Sequence, residues 1–68
     1  MTQNIELIGN QFSGYGHRKL SILVDGVVYT AITTDMRMTD NLNDDDDQIV
    51  DEARKDAIKF VLTQNDLI

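Results

Sequence analysis

The chain has 68 residues, no cysteine and no proline, and a formal charge of −6. That length predicts one small domain, spanning 1–68, near the lower limit of what folds without staples, and the lack of cysteine excludes both disulfides and thiolate metal sites. The net charge falls entirely in residues 35–68, where ten acids face Arg37, Arg54, Lys55 and Lys59, so that half repels nucleic-acid phosphate.

Met1-Thr2-Gln3-Asn4 carries no base and precedes no apolar h-region, so no signal peptide is expected. No segment reaches the ~20 apolar residues of a membrane span. Together with the missing cysteine, this points to a cytoplasmic protein with no membrane partner.

Asn4-Ile5-Glu6-Leu7-Ile8 reads as a short strand with Ile5 and Leu7 on one face, which Gly9-Asn10 either bends or ends. Ser13-Gly14-Tyr15-Gly16 is a turn or loop, because paired glycines punctuate strongly. If the strand resumes through Gln11-Phe12, that loop becomes a hairpin connection into His17-Arg18-Lys19 and the sheet is a three-stranded meander.

Asp25-Gly26 lies between the apolar runs 20–24 and 27–32. It is a strong signal for a two-residue hairpin turn, because a type I′ turn needs positive φ at both central positions. The turn sets Val24 opposite Val27, Ile22 opposite Tyr29 and Leu20 opposite Ala31. One face then holds Leu20, Ile22, Val24, Val27, Tyr29 and Ala31. The other holds Lys19, Ser21, Leu23, Val28, Thr30 and Ile32. A slip of one residue would interchange the two sets on the third strand, so the register is well specified.

Asp35 to Asn43 is expected to be a strand end followed by a loop, with Met36 and Met38 tucked against the core edge. Asp44-Asp45-Asp46-Asp47 then opens a helix. Ile49, Val50, Ala53, Ala57, Phe60 and Val61 recur at spacings of three and four and predict its buried face, widened by Ile58 and Leu62. Asp51 and Lys55 are spaced for an ion pair, acids lead and bases follow as the macrodipole favours, and the helix frays near Asn65. The fold class is therefore α+β: an antiparallel sheet of two or three strands, packed by one C-terminal helix.

Four features are candidates for chemistry. The aspartate run superficially matches a calcium loop, with Asn41, Asn43 and Asp45 alternating ahead of Glu52. However, Asp46 stands where the sharp turn needs glycine and Gln48 where an apolar residue belongs, so the expectation is an acidic helix start with one aspartate as N-cap and no metal. The segment Tyr15, His17, Arg18 and Lys19 could hold a phosphate or stack a base, but it lacks the glycine pattern and following helix of a nucleotide loop. Read structurally, it is a tight connection with a charged strand start. His17 is the only histidine and has no nucleophile or ligand set beside it in sequence, so no catalytic residue is assigned and neither an enzyme nor a cofactor is expected. Tyr29 reads as core and Tyr15 as a loop aromatic free to make contacts.

The fourth candidate is the group Leu23, Val28 and Ile32 on the second hairpin face. With the helix covering the all-apolar face, these residues are left beside Lys19, Ser21 and Thr30. They read either as exposed residues on a solvated sheet face or as a partner surface.

A β-hairpin followed by a helix resembles, in topology, the second half of a double-stranded-RNA-binding domain. That family places lysines at the helix start to contact phosphate, whereas this helix starts with Asp44–Asp47, so the resemblance extends to topology only. The leading expectation is a non-enzymatic protein-interaction module that binds a protein partner or itself through either the Leu23, Val28 and Ile32 sheet face or the acidic helix start at Asp44–Asp47. The alternatives are a nucleic-acid-associated module using Tyr15, His17, Arg18 and Lys19, or an acidic mimic of nucleic acid.

Overall fold

The computed structural model describes residues 4–68. Met1 to Gln3, read above for signal-peptide features, lie outside the described residues. Three strands, β1 (Ile5–Gly14), β2 (His17–Val24) and β3 (Val27–Thr33), form an antiparallel sheet in the order β1-β2-β3. Two helices follow, α1 (Met36–Asn41) and α2 (Asp47–Gln64).

The Asp25-Gly26 hairpin has the expected register: Val24 faces Val27, Ile22 faces Tyr29 and Leu20 faces Ala31. Asp25 and Gly26 have φ of 50° and 89°, the positive values a type I′ turn requires. Asp25 also ties down the residue that leads into β1. Its carboxylate accepts from the Asn4 amide at 3.0 Å, and its own amide donates to the Asn4 carbonyl at 3.0 Å.

The meander is complete. Tyr15 and Gly16 form a second two-residue turn of the same kind, with φ of 52° and 76°. Residues 5–14 are one strand rather than two, and the Gly9-Asn10 region bends it without ending it. Ile8 is an extra residue between the pairs Leu7–Ile22 and Gly9–Ser21, and Ser13 is extra between Phe12–Arg18 and Gly14–His17. Each bulge shifts the alternation by one residue. Before the first, Ile5 and Leu7 lie opposite Val24 and Ile22; after it, Asn10 and Phe12 lie opposite Leu20 and Arg18.

α2 packs its small residues on the Leu20 face. Leu20, Ile22, Val24, Ala57 and Val61 form the buried core, and Ala53 is buried as well. Two alanines in successive turns let the helix axis approach the sheet closely. Phe60 departs from expectation: it is half-buried, packed against the core from the side facing α1. The stripe of apolar residues is wider than the strip of helix that touches a three-stranded sheet, so its flank remains partly open. Asp51 is paired with Arg54 at 3.7 Å, one residue nearer than the expected Lys55.

The segment expected to be a loop after β3 contains α1. Asp35 is its N-cap, its carboxylate accepting from the amides of Arg37 and Met38 at 3.1 and 3.3 Å. Thr39 is fully buried, its hydroxyl donating to the Met36 carbonyl at 2.9 Å, so the polar atom is satisfied inside the turn. Met38 is half-buried at the core edge as expected, and Met36 is exposed. α2 begins at Asp47, with Asp46 as N-cap accepting from the Gln48 amide at 2.9 Å. Among the described residues no helix is long and apolar enough to cross a membrane.

Candidate functional site

The sheet is one layer thick and α2 covers only its Leu20 face, so the second face is open. Strand alternation places three cross-strand rows there: Glu6–Leu23–Val28, Gly9–Ser21–Thr30 and Gln11–Lys19–Ile32. Val28 and Ile32 are each 55% exposed, and Leu23 is half-buried between its neighbours. β-branched residues suit this pleated surface, and among the described residues nothing covers them. The three residues singled out by sequence thus share one face, with Leu23 and Val28 directly paired and Ile32 two pairs along β3.

The large apolar side chains of the face, Leu23, Val28 and Ile32, stand in its two outer rows beside Glu6, Gln11 and Lys19, and its centre is small and polar. Gly9 is required there by close approach. A Cβ added to it would lie 3.2 Å from both Cβ and Oγ of Ser21, tighter than ordinary van der Waals contact. The only formal charges in the three rows are Glu6 and Lys19, in opposite outer rows. Eight of the ten acids of residues 35–68 belong to α1, the connecting loop and α2, with Asp35 capping α1 and Asp66 following α2, and α2 packs on the other side of the sheet.

The edges of the sheet are guarded. β1 is broken by its two bulges. On β3 the pair flanking a two-residue turn is hydrogen-bonded, so alternation directs the amides and carbonyls of Val28, Thr30 and Ile32 away from β2. The middle carbonyl of that row, Thr30, accepts from the Asn65 side-chain amide at 3.0 Å.

The second group of candidates does not come together. Tyr15 sits at the tip of the first hairpin, fully exposed. The His17 ring folds back on the turn, its Nδ1 3.1 Å from the Gly14 carbonyl. Arg18 and Lys19 are adjacent in β2 and point to opposite faces: Arg18 shares the helix side with Leu20, and Lys19 stands on the open side. The Arg18 Nε is buried without a hydrogen-bond partner, as is Oδ1 of Asn10 diagonally across on β1. A guanidinium half-buried beside the core is poorly placed to join a phosphate-binding patch with Lys19.

Within the acidic run, Asp44 accepts from the Asp46 amide at 2.8 Å and Asp46 caps α2, so two of the four carboxylates serve the backbone. Among the described residues no three His, Cys, Asp or Glu side chains are grouped to hold a metal ion. Sequence reasoning placed Asn65 only at the fraying end of the helix and gave it no role, whereas it caps α2 and joins it to the edge of β3. Its only signal was an amide residue at the predicted helix end, where a side chain that can both cap and reach is favoured. The chain matches no protein-family model, no curated protein and no solved structure.

Proposed function

We propose that this chain is a non-enzymatic protein-interaction module, acting in the cytoplasm, whose docking surface is the open sheet face around Leu23, Val28 and Ile32. One observation carries the reading: Val28 and Ile32, two large apolar side chains on the same strand and face, are each more than half exposed in a domain whose core is very small. Exposed apolar residues scattered singly are ordinary on a protein surface, whereas a group on one flat face marks a contact surface. Tyr15, Arg18 and Lys19 contribute less to this reading. Lys19 belongs to the face, Tyr15 lies at its far margin on the hairpin tip, and Arg18 belongs to the opposite side.

The reading is tested by placing a photo-crosslinking residue at Thr30, in the middle of the face, and a control at Lys55 on the exposed side of α2. Adducts formed in cells through position 30, absent at position 55 and lost when Val28→Lys is added, support the open face as the docking surface. Equal or absent adducts at the two positions overturn it.

A further inference from the structure

We infer that the occupant of the open sheet face is a second copy of this chain, docked face to face about a two-fold axis that runs along the Gly9–Ser21–Thr30 row. The inference rests on the reading of that face as a docking surface and adds the partner and its geometry.

The three rows are arranged about their centre so that the face complements itself. A two-fold axis along the middle row keeps each strand over its own counterpart and reverses strand direction. It therefore lays the Glu6–Leu23–Val28 row over the partner's Gln11–Lys19–Ile32 row. Val28 then packs on Ile32 of the other copy, and the same contact recurs on the other side of the axis, as an isologous interface demands. Leu23 meets the aliphatic stem of the second copy's lysine, which covers apolar surface while its ammonium reaches outward. That ammonium arrives next to Glu6, one strand away, so the two charges of the face neutralise each other twice across the interface. The Gly9–Ser21–Thr30 row has no large side chain to hold the sheets apart at the axis, where two sheets pack about 10 Å from each other.

Charge selects this arrangement of two copies over the others. Each copy carries its six net negative charges in residues 35–68. These residues follow the sheet, and their long helix lies on the opposite side. Face-to-face docking keeps the two acidic layers outermost and joins two faces of zero net charge. Edge-to-edge pairing through β3 is disfavoured, because Asn65 already occupies the central outward carbonyl at Thr30.

Sedimentation velocity of the purified chain tests this, from about 1 μM to about 1 mM, on the wild type, Val28→Lys, Glu6→Lys, Lys19→Glu and the doubly reversed Glu6→Lys/Lys19→Glu. The expected results are a concentration-dependent dimer for the wild type and a monomer for Val28→Lys that keeps its circular dichroism. Each single reversal should weaken association ~10-fold, since it sets like charges together at two places, and the double reversal should restore it. Glu6 and Lys19 are exposed, so their variants test the interface even if Val28→Lys fails to fold. A wild type that stays monomeric, a dimer indifferent to Val28→Lys, or a double reversal as weak as the singles overturns the inference. The Thr30 crosslinker then separates the two levels. Adducts heavier than twice the 7.7 kDa chain would leave the docking face standing with a different partner, and no adduct would remove both.

Discussion

Asn65, the C-cap of α2, donates its side-chain amide to the carbonyl of Thr30 at 3.0 Å, joining the end of the helix to the free edge of β3 across 35 residues of sequence. The same nitrogen lies 2.9 Å from the Val61 carbonyl in the last turn of the helix. One side chain thus satisfies a helix end and interrupts the outward-facing row of a strand with no charge, proline or bulge of its own.

Asn65→Ala is expected to lose ~1–2 kcal/mol of stability, from two hydrogen bonds each worth about 1 kcal/mol net. It should also aggregate faster, because the freed Thr30 carbonyl completes a continuous edge for another chain to pair with. Chemical denaturation and light scattering under mildly destabilising conditions measure the two effects. Loss of stability with unchanged aggregation would show that the amide caps the helix and does not guard the strand.

Much of this architecture is legible in the residues because local signals agree. Asp25-Gly26 selects the turn, alternation on either side selects the faces, and spacings of three and four from Ile49 to Val61 select the helix. Two things were hidden. α1 is six residues long, with Met38 as its half-buried apolar side chain and Leu42 at its C-cap, too little periodicity to outweigh a polar stretch, although Asp35 is a good N-cap. The β1 bulges were hidden because an extra residue interrupts the period-two pattern on which a strand is recognised. The candidate face was legible as a set of residues. Its symmetry about Gly9–Ser21–Thr30 was not, since that depends on where β1 bulges.

The core predictions follow depth of burial. Leu20 is 0% exposed within the core cluster, so Leu20→Ala is expected to cost ~2–5 kcal/mol, enough to unfold a domain this small. Phe60 is only half-buried beside Met38, so Phe60→Ala should cost about 2 kcal/mol despite removing more atoms. Thermal melts of the two variants decide the order. The reverse order would place the centre of the core between the two helices.

The aspartates of the helix start should separate by position. Asp46 accepts from the Gln48 amide, so Asp46→Ala is expected to cost ~1 kcal/mol, while Asp46→Asn retains the cap and costs little. Asp45 is exposed, and Asp45→Asn should stay within ~0.5 kcal/mol of wild type. Urea titrations distinguish them. Equal losses at 45 and 46 would mean that the run acts through its summed charge and not through one cap.

α2 ends in a left-handed residue that is not glycine. Asp66 has φ of 57°, the Leu67 amide donates to the Leu62 carbonyl at 2.9 Å and the Asp66 amide to the Thr63 carbonyl at 3.1 Å. These are the two bonds of a Schellman ending, whose left-handed position favours glycine. Asp66→Gly is expected to raise stability by ~0.5–1 kcal/mol. A loss would show that the carboxylate makes a contact outweighing the relieved backbone.

The two hairpins share one turn geometry and differ in how well their residues suit it, which leads to opposite expectations. At Asp25-Gly26 both residues tolerate positive φ, and Gly26 at 89° has no competitor among side-chain-bearing residues, so Gly26→Val should cost more than ~1 kcal/mol. At Tyr15-Gly16 the first position holds a bulky aromatic with φ of 52°, where an L-residue is strained by ~1–2 kcal/mol and asparagine is far better tolerated. Tyr15 is 100% exposed, so its ring contributes no burial to offset that strain. Tyr15→Asn is therefore expected to raise the melting temperature by several degrees, corresponding to about 1 kcal/mol in a domain of this size. A fall in melting temperature at concentrations where the chain is monomeric would mean that the tyrosine ring packs within its own chain. A fall confined to concentrations where the chain associates would place the ring in the contact between copies, where a strained, exposed aromatic at a hairpin tip has a physical reason to be kept.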